Sequence, residues 1–400
     1  MVGKIEESYE DVAFVHLLRR TSPVVLRKRA KDWPGCSLVT ETFGALASLR
    51  TTFRLHPHCN KSIWEANCLK LEATLQEWHA WTFAKAPVAE DNPFAAFPRE
   101  RFWAYADYKH MAEMLAQEGL PAGTAAAAGL VRWAQFGLGD KNESDSTFWL
   151  GTEGAHTPLH QDTYGVNLVA QLHGRKTWTL FPPEDGANLY PTRIPYEESS
   201  VFSEADLCAR PDVQAFPAVT RCRPVTAVLE TGDVLFVPKH WWHFVYSDTV
   251  SLSINVWVDV PGDAADRAAE ALVRLVMTCT AELLAEERGP GWLNPTETVS
   301  SPHEALRFVN FAMEALPPPP PPPTTTTATA ASIAATEPPL PPLLPPLLPP
   351  GQSKGPFGVV GTVSIGAFAD ATTQAPASRA EGSDAVPTAA SAVASSQTGE

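Results

Sequence analysis

Two short segments of the sequence carry side chains that suit a metal ion. His160 and Asp162 are separated by a single residue in the first of them. In a β-strand, residues i and i+2 point to the same side, so the imidazole and the carboxylate can meet at one point. The H-x-D pair alone is weak evidence, because it occurs by chance in many proteins. A metal site therefore needs a further ligand from elsewhere in the chain.

The second segment, residues 232–243, runs from a predicted strand to two histidines that flank a Trp-Trp pair. His240 and His243 differ by three positions, so on a strand they face opposite sides and only one of them points inward. Spacing alone leaves both open. Two histidines and one carboxylate on one face of a metal leave three coordination positions free, which is the ligand set of non-haem iron(II) oxygenases. A closed tetrahedral zinc site needs a fourth protein ligand, and none is evident.

The three free positions fit 2-oxoglutarate, which chelates through two oxygens and leaves the third position to dioxygen. Its far carboxylate then needs a cation, and Lys176 follows the turn after the predicted metal-binding strand. Lysine is a compact point charge suited to one carboxylate oxygen; the alternative is a solvated surface lysine. Asn167 and Asn255 lie inside otherwise apolar strands, where a buried amide must be hydrogen-bonded. They predict either a contact to the metal-bound end of the co-substrate or a satisfied core network.

Short strands are predicted to position these residues. Residues 171–181 indicate two strands joined by a tight turn, residues 226–238 indicate strand, turn and strand, and residues 250–257 alternate apolar and polar side chains. Such strands, separated by Gly and Pro, predict an antiparallel sandwich or barrel. Apolar residues at helical spacing predict two flanking helices, near residues 65–83 and over residues 263–287.

Composition limits the classes of protein. The chain has 400 residues, 44% of them hydrophobic, which is ample for a large core. The formal net charge of -15 argues against a nucleic-acid partner. Six scattered cysteines without a CxxC pair argue against a disulfide scaffold or zinc knuckle. No secretory signal and no run of about 18 apolar residues is present, so we predict a soluble protein of the cytoplasm or the nucleus, with no membrane partner.

The composition changes sharply after Leu316. Residues 317–323 are seven consecutive prolines, followed by a Thr/Ala run, Pro-Pro-Leu-Leu repeats and a Gly/Ala/Ser/Thr-rich end. Proline lacks the N–H that helices and sheets require, and this segment has few large side chains to bury. It is predicted to be polyproline II followed by disorder. A docking site for SH3- or WW-type domains is the functional alternative to a passive tail.

The run from Trp149 to Trp257 resembles the JmjC family of 2-oxoglutarate- and iron(II)-dependent dioxygenases, in the branch that contains the asparaginyl hydroxylase factor inhibiting HIF. Within that branch it looks most like a subgroup associated with small heat-shock proteins. The likeness covers roughly residues 15–312, and the run 190–203 is far more specific than H-x-D. It is carried by residues 102–108, 154–158, 174–176, 181–185, 189–203, 240–243 and 294–297.

The resemblance implies a mainly β fold, a double-stranded β-helix of the cupin or jelly-roll type with flanking α-helices. Together with the change of composition, it divides the chain into four parts. These are an N-terminal helical and strand region that packs on the core (1–108), the JmjC β-helix (109–262), C-terminal helices (263–316) and a disordered Pro-rich tail (317–400).

The resemblance also implies roles for particular residues. It places iron(II) on the catalytic triad His160, Asp162 and His243, and thereby selects His243 over His240, because the family's last ligand follows the Trp-Trp pair. Five further residues would bind 2-oxoglutarate: Lys176 and Thr157 at its far carboxylate, Asn167 and Asn255 near the metal end, and Tyr105 as the upstream tyrosine.

The activity implied by the resemblance is that of a 2-oxoglutarate-dependent dioxygenase acting on a protein, by hydroxylation or demethylation. One alternative is a catalytically silent protein that binds a small heat-shock protein through the same fold. Another is a tRNA- or histone-modifying oxygenase, although the acidic charge disfavours tRNA and suits a basic histone tail. The implied partners are a protein substrate or a small heat-shock protein. The helices in 263–316 either pair with a second copy, as a homodimer, or pack within the chain.

Overall fold

The structure is a computed structural model that describes residues 3–10, 13–117, 129–208 and 213–317. The chain divides into two units, Met1–Pro322 and Pro323–Glu400, and all the described residues belong to the first. Apart from Pro317, the predicted Pro-rich tail lies outside the described residues. No helix among them has the length and apolar character needed to cross a membrane.

The described residues contain the strands predicted for residues 171–181, 226–238 and 250–257. In chain order the strands are β1 (Gly3–Lys4), β2 (Glu6–Ser8), β3 (Val24–Leu26), β4 (Arg50–Pro57), β5 (Leu69–Thr74), β6 (Phe102–His110), β7 (Thr147–Gly151), β8 (His156–Asp162), β9 (Val166–His173), β10 (Arg175–Phe181), β11 (Pro191–Thr192), β12 (Ser200–Ser203), β13 (Val225–Glu230), β14 (Val234–Val237), β15 (Trp242–Ser247) and β16 (Ser251–Val258).

Helices lie before, between and after these strands. The α-helices are α1 (Phe14–Leu17), α2 (Leu75–Phe83), α3 (Met111–Leu115), α4 (Asp263–Cys279), α5 (Ala281–Arg288) and α6 (Pro302–Glu314). Short 3-10 helices occupy Pro34–Ser37, Gly44–Leu46, Glu65–Asn67, Trp133–Phe136, Glu143–Asp145, Pro183–Asn188, Pro217–Arg221 and Gly289–Trp292.

The strands form two sheets. One has the order β1-β13-β10-β15-β8-β12-β11, and the other has the order β2-β3-β14-β9-β16-β7-β6-β4-β5. Apolar side chains from both sheets meet in one core cluster, where Val169 and Leu235 of the larger sheet pack with Leu180 and Leu229 of the smaller. Two mainly antiparallel sheets that share a core in this way form a double-stranded β-helix, so the predicted fold class is confirmed.

The larger sheet is covered on both faces, which explains its apolar centre. Seven of the eight residues of β9 are buried. Leu168 and Ala170 belong to the outer core cluster, whereas Val169 faces the smaller sheet. A strand buried on both sides is apolar almost throughout. The predicted division at residue 108 falls inside β6, which pairs with β4 and with β7, so residues on both sides of that point contribute to one sheet.

The prediction of a helix near residues 65–83 is wrong for its first half. Residues 69–74 form β5, which pairs with β4, because apolar and polar side chains alternate there as well as recurring at helical spacing. The helix α2 begins only at Leu75. Thr74 caps it by accepting from the N–H of Glu77, whose carboxylate accepts from the N–H of Thr74 in return.

The predicted helix 263–287 is present but is broken into α4 and α5 at Thr280. Ala268 and Ala271 of α4 pack against Val309 and Ala312 of α6. Small residues let the two helices approach closely, so part of the apolar stripe serves packing within the chain. Leu275 packs against the same cluster, whereas Leu272, Val276 and Leu283 of the stripe remain exposed.

Candidate metal centre and adjoining cavity

Neighbouring strands of the smaller sheet bring His160, Asp162 and His243 together. β8 carries the first two and β15 the third, and the antiparallel register places His243 directly opposite His160. The two imidazole centroids are 4.1 Å apart, and His160 Nε2 lies 3.7 Å from Asp162 Oδ1. Ligand atoms of all three side chains lie within 4.8 Å of one another. This cluster can hold a metal ion.

Backbone contacts orient both histidines. Nδ1 of His160 lies 2.8 Å from the carbonyl of Pro158, and Nδ1 of His243 lies 3.0 Å from the carbonyl of Trp241. Each Nδ1 therefore donates to a carbonyl, which leaves Nε2 free as a metal ligand. Burial, followed by the neighbouring His243, lowers the pKa of His160 to about 4. The ring is neutral at pH 7, as a ligand must be.

Trp257 orients the carboxylate of the cluster. Its indole N–H donates to Asp162 Oδ2 at 3.0 Å, while Oδ1 faces His160. With one oxygen engaged, Asp162 offers a single oxygen to a metal. Partners of this kind, which hold a ligand in position, commonly contribute strongly to metal affinity.

Trp257→Phe should weaken iron(II) binding about 10- to 100-fold, because it removes the N–H but keeps an aromatic ring. Competition with a chromophoric chelator under anaerobic conditions measures the affinity. Trp33→Phe is the matched control, since it also removes one indole hydrogen bond, to Gln135, in the remote core. An unchanged affinity in Trp257→Phe would show that the indole does not position Asp162.

His240 lies outside the cluster. It has a left-handed backbone, with φ of 67°, and its Nε2 is 2.8 Å from the carbonyl of Thr163. It is absent from the wall of the cavity beside the cluster. Of the two histidines that strand spacing left open, the structure brings His243 to His160 and Asp162.

A cavity of about 250 Å³ adjoins the cluster, between the two sheets. Its walls come from both sheets, because β8, β10 and β15 supply one side and β6, β9 and β16 the other. Every residue predicted for the site lines it: Tyr105, Thr157, His160, Asp162, Asn167, Lys176, His243 and Asn255.

Lys176 is a buried cation in the cavity wall. It lies in the inward row of β10 with Trp178 and Leu180 and is only 2% exposed. Among the described residues, no carboxylate lies within 4 Å of its Nζ, which instead donates to the Tyr105 hydroxyl at 3.4 Å. Burial lowers its pKa to about 7. A buried ammonium without a counter-ion is costly, so this position favours an anionic ligand.

Thr157 reaches the cavity because of a β-bulge. In the pairing of β8 with β15, His243 lies opposite His160 and Val245 lies opposite Thr157. Between these two pairs the chain advances by three residues in β8 but by only two in β15, so β8 has one extra residue. The extra residue turns Thr157 to the side of His160, although strict alternation over three positions would separate them. Its side chain lies within hydrogen-bonding reach of the Tyr105 hydroxyl.

Asn167 and Asn255 form a buried pair on the opposite wall. The amide of Asn255 donates to Asn167 Oδ1 at 2.9 Å and accepts from the indole of Trp149 at 2.7 Å. Asn255 is thus satisfied by protein groups. The amide nitrogen of Asn167 has no acceptor among the described residues, so it can donate to a ligand in the cavity.

Sequence reasoning missed several residues of the cavity wall. Trp257 follows Asn255 by two positions in β16, so alternation could have revealed that it shares the inward face. Tyr108 gives no such signal, because it lies at an irregularity of β6 with φ of 52°. Glu197 and Glu198 belong to the run 190–203 that carries the resemblance, but their place in the cavity follows from the chain path between β11 and β12.

Comparison with known proteins agrees with this architecture. Residues 12–263 match the family described as a cupin-like domain. The HSPB1-associated protein 1 homolog of Danio rerio is 41% identical over 296 residues, which is 73% of this chain and 64% of that protein. The human HSPB1-associated protein 1 is 42% identical over 285 residues, 70% of this chain and 57% of that protein.

A more distant relative is lysine-specific demethylase 8 of Danio rerio, 39% identical over 124 residues, 30% of this chain and 29% of that protein. The chain spans about three fifths of the length of the two nearer relatives. The family match covers more than half of the chain and includes every strand that lines the cavity. The chain therefore belongs to the cupin-like family, with a domain of the JmjC type.

Proposed function

We propose that the protein is an iron(II)- and 2-oxoglutarate-dependent dioxygenase of the JmjC type that hydroxylates a protein. The observation that carries this proposal is the buried Lys176 in the same cavity as the His160, Asp162 and His243 cluster. A metal site alone has many uses. A metal site beside an unpaired buried ammonium fits a co-substrate that combines a metal-chelating end with a distant carboxylate.

The donor set fits iron(II). Two imidazole nitrogens and one carboxylate oxygen lie on one side, and the other side opens into the cavity, as an oxygenase requires. Iron(II) with 2-oxoglutarate supplies an oxidative decarboxylation that yields succinate and carbon dioxide and hydroxylates a C–H bond. The neutral His160 needs to lose no proton before it binds the metal.

The remaining residues bind and orient the diacid. Lys176, with the hydroxyl groups of Tyr105 and Thr157 beside it, would hold the far carboxylate. The free amide nitrogen of Asn167 would donate to the end nearer the metal. Val169, Trp178 and Val245 form an apolar wall that keeps bulk water from the charged groups and strengthens their attraction.

The test is an anaerobic titration of the full chain with iron(II) and 2-oxoglutarate, followed by admission of oxygen. We expect 2-oxoglutarate to bind only to metal-loaded protein and succinate to form even without substrate. Chelator-treated protein is the control and should do neither. Iron-loaded protein that fails to bind 2-oxoglutarate would contradict the proposal.

A second candidate function is association with a small heat-shock protein, which the names of the relatives indicate for those proteins. Exposed apolar residues of α4 and α6 offer a surface for it: Leu272, Val276, Leu306, Phe308 and Phe311. A second copy of this chain is the alternative occupant of that surface. Such association needs no metal, so binding that persists after chelator treatment is separable from the enzymatic function.

A further inference from the structure

Arg54 is a further buried cation in the wall that holds Lys176. It belongs to β4, is 4% exposed and lines the same cavity. It lies directly opposite Tyr105 in the pairing of β4 with β6, so the two side chains are neighbours on one face of the larger sheet. The guanidinium carbon of Arg54 is 5.6 Å from the centroid of the Tyr105 ring, and Nζ of Lys176 is 5.2 Å from it. Two buried cations therefore adjoin the same tyrosine.

Asp107 is a buried carboxylate beside these cations. It follows Tyr105 by two positions in β6, so both side chains point to the same side and both line the cavity. Its Oδ2 lies 2.5 Å from Nη2 of Arg54. The same guanidinium donates to the carbonyl of His156 at 3.3 Å. Arg54 is thus engaged by groups of the protein before any ligand binds.

The charge of Asp107 also reaches Lys176. Burial lowers the pKa of Lys176 to about 7, and Asp107 opposes this effect by favouring the ammonium form. The two side chains do not form a direct ion pair, so Asp107 acts across the cavity, where charges are screened less than at the surface. Because the pKa is close to physiological pH, a modest change in the surrounding charge decides whether Lys176 is an ammonium or a neutral amine.

Other ionisable groups also line this cavity. The residues paired with Lys176 on the neighbouring strands, Leu229 and Ser247, do not titrate. Around the cavity lie the metal cluster and five further side chains: Arg54, Glu65, Tyr105, Asp107 and Tyr108. The wall continues with Tyr164, Glu197, Glu198, Asp259 and Arg267. Among all these groups, the charge that acts on Lys176 is that of Asp107.

This arrangement leaves one cation for the far carboxylate of the co-substrate. Among the described residues of the wall, Arg54 and Arg267 each pair with a carboxylate, whereas Lys176 does not. A diacid that met two free cations could settle on either of them. A single cation defines one position for the far end, and the position of a bound reactant strongly affects the rate of its reaction.

We propose that Asp107 is a positioning residue for the co-substrate, which keeps Lys176 in its ammonium form and pairs with Arg54, so that the far carboxylate has one cation to bind. This inference rests on the proposed function. Asp107 acts through Lys176 and makes no bond to the diacid, because two carboxylates repel each other.

The first experiment measures the charge of Lys176 without metal or co-substrate. The full chain, labelled with carbon-13 at the lysine Cε atoms, is titrated by NMR, and the signal that is absent from Lys176→Met belongs to Lys176. We expect its midpoint to be lower by about one pH unit in Asp107→Asn, because a favourable charge is lost. Asp259→Asn is the matched control and should leave the midpoint unchanged, since Asp259 also lines the cavity and pairs with an arginine.

The second experiment measures 2-oxoglutarate binding to iron(II)-loaded protein without oxygen, with metal occupancy checked at each pH. For a wild-type pKa of about 7, a midpoint lower by about one pH unit reduces the ammonium fraction about tenfold at pH 8 but less than about twofold at pH 6. The Kd of Asp107→Asn should rise in the same proportions. A purely structural defect would weaken binding equally at both values. Asp107→Glu keeps the charge and should keep the wild-type pattern.

A further variant guards against loss of the fold. Asp107→Asn leaves Arg54 buried without its counter-ion, which destabilises the protein, whereas Arg54→Met combined with Asp107→Asn removes both charges of the pair. The Lys176 midpoint should fall in the double variant too, because Asp107 is the charge that acts on it. An unchanged midpoint in both variants, or wild-type affinity for 2-oxoglutarate at pH 8 in Asp107→Asn, would overturn the proposal. Wild-type protein that shows the expected Lys176 titration but binds no 2-oxoglutarate would instead contradict the proposed function.

Discussion

Replacing His243 with alanine should abolish iron(II) binding and succinate formation, whereas His240→Ala should leave both within about twofold. His243 supplies one of three ligand atoms that lie within 4.8 Å of one another. With one imidazole lost, two donors remain. Removal of a residue that only supports a metal ligand lowers metal affinity by up to roughly 100-fold, and we expect the loss of a ligand to lower it further. Metal analysis after gel filtration and a succinate assay give the two readouts.

His240 is a demanding control for this experiment. It is the same residue type, only three positions away, and its ring faces the Thr163 carbonyl rather than the cavity. Equal loss of metal in both variants would mean that the segment tolerates no substitution, and thermal unfolding would then show a matching drop in Tm. Retention of iron and turnover by His243→Ala would remove the basis of the proposed metal site.

The second large effect concerns Lys176. Lys176→Met should weaken 2-oxoglutarate binding at least about 100-fold, because a carboxylate buried without its cation loses a charge-assisted bond and remains desolvated. The same change should stabilise the ligand-free protein by about 1–4 kcal/mol, because methionine fills a similar volume without a buried charge. Calorimetric titration and chemical denaturation measure the two quantities.

The pH dependence of both quantities follows from the Lys176 pKa of about 7. Only the ammonium form attracts the carboxylate, so wild-type affinity for 2-oxoglutarate should fall about tenfold per pH unit above pH 7. The folded-state pKa is lower than the unfolded value, so the wild-type fold gains stability as pH rises from 7 towards the unfolded pKa of about 10.4. The stability advantage of Lys176→Met should be greatest below pH 7 and shrink above it.

Arg175→Met is the matched control, because Arg175 is the adjacent basic residue on the outer face of the same strand and is exposed. It should change neither 2-oxoglutarate affinity nor its pH dependence. If Lys176→Met bound 2-oxoglutarate as tightly as wild type, the far carboxylate would have to be held elsewhere.

The inward position of Lys176 was open to prediction from the sequence. In residues 176–180 lysine occupies the row of Trp178 and Leu180, so alternation alone predicts burial. The pairing of His160 with His243 could not be predicted from the sequence, because it depends on the register between two strands that lie far apart along the chain. The choice between His240 and His243 came from the family resemblance, and the structure agrees through the path of the chain before β15.

Other features escape pattern reasoning for physical reasons. Thr157 faces the cavity only because β8 has an extra residue against β15, and a bulge leaves little trace in a single sequence. The strand β5 was predicted as part of a helix because the spacing of Leu69, Leu71 and Leu75 fits the two-residue period of a strand as well as the period of a helix. Only the capping residue Thr74 marks the point where the strand ends and the helix begins. Glu197 and Glu198 lie outside any regular element, so periodicity says nothing about the direction of their side chains.

The cavity is divided between the two sheets, and this has a consequence for how long the protein survives. Under the proposed function, a diacid that contacts Lys176 on one wall and Asn167 on the other connects the two walls, and its binding free energy adds to the free energy needed to open the fold. A cell rich in this metabolite would then keep more of the chain intact against proteases, whereas starvation for it would speed degradation.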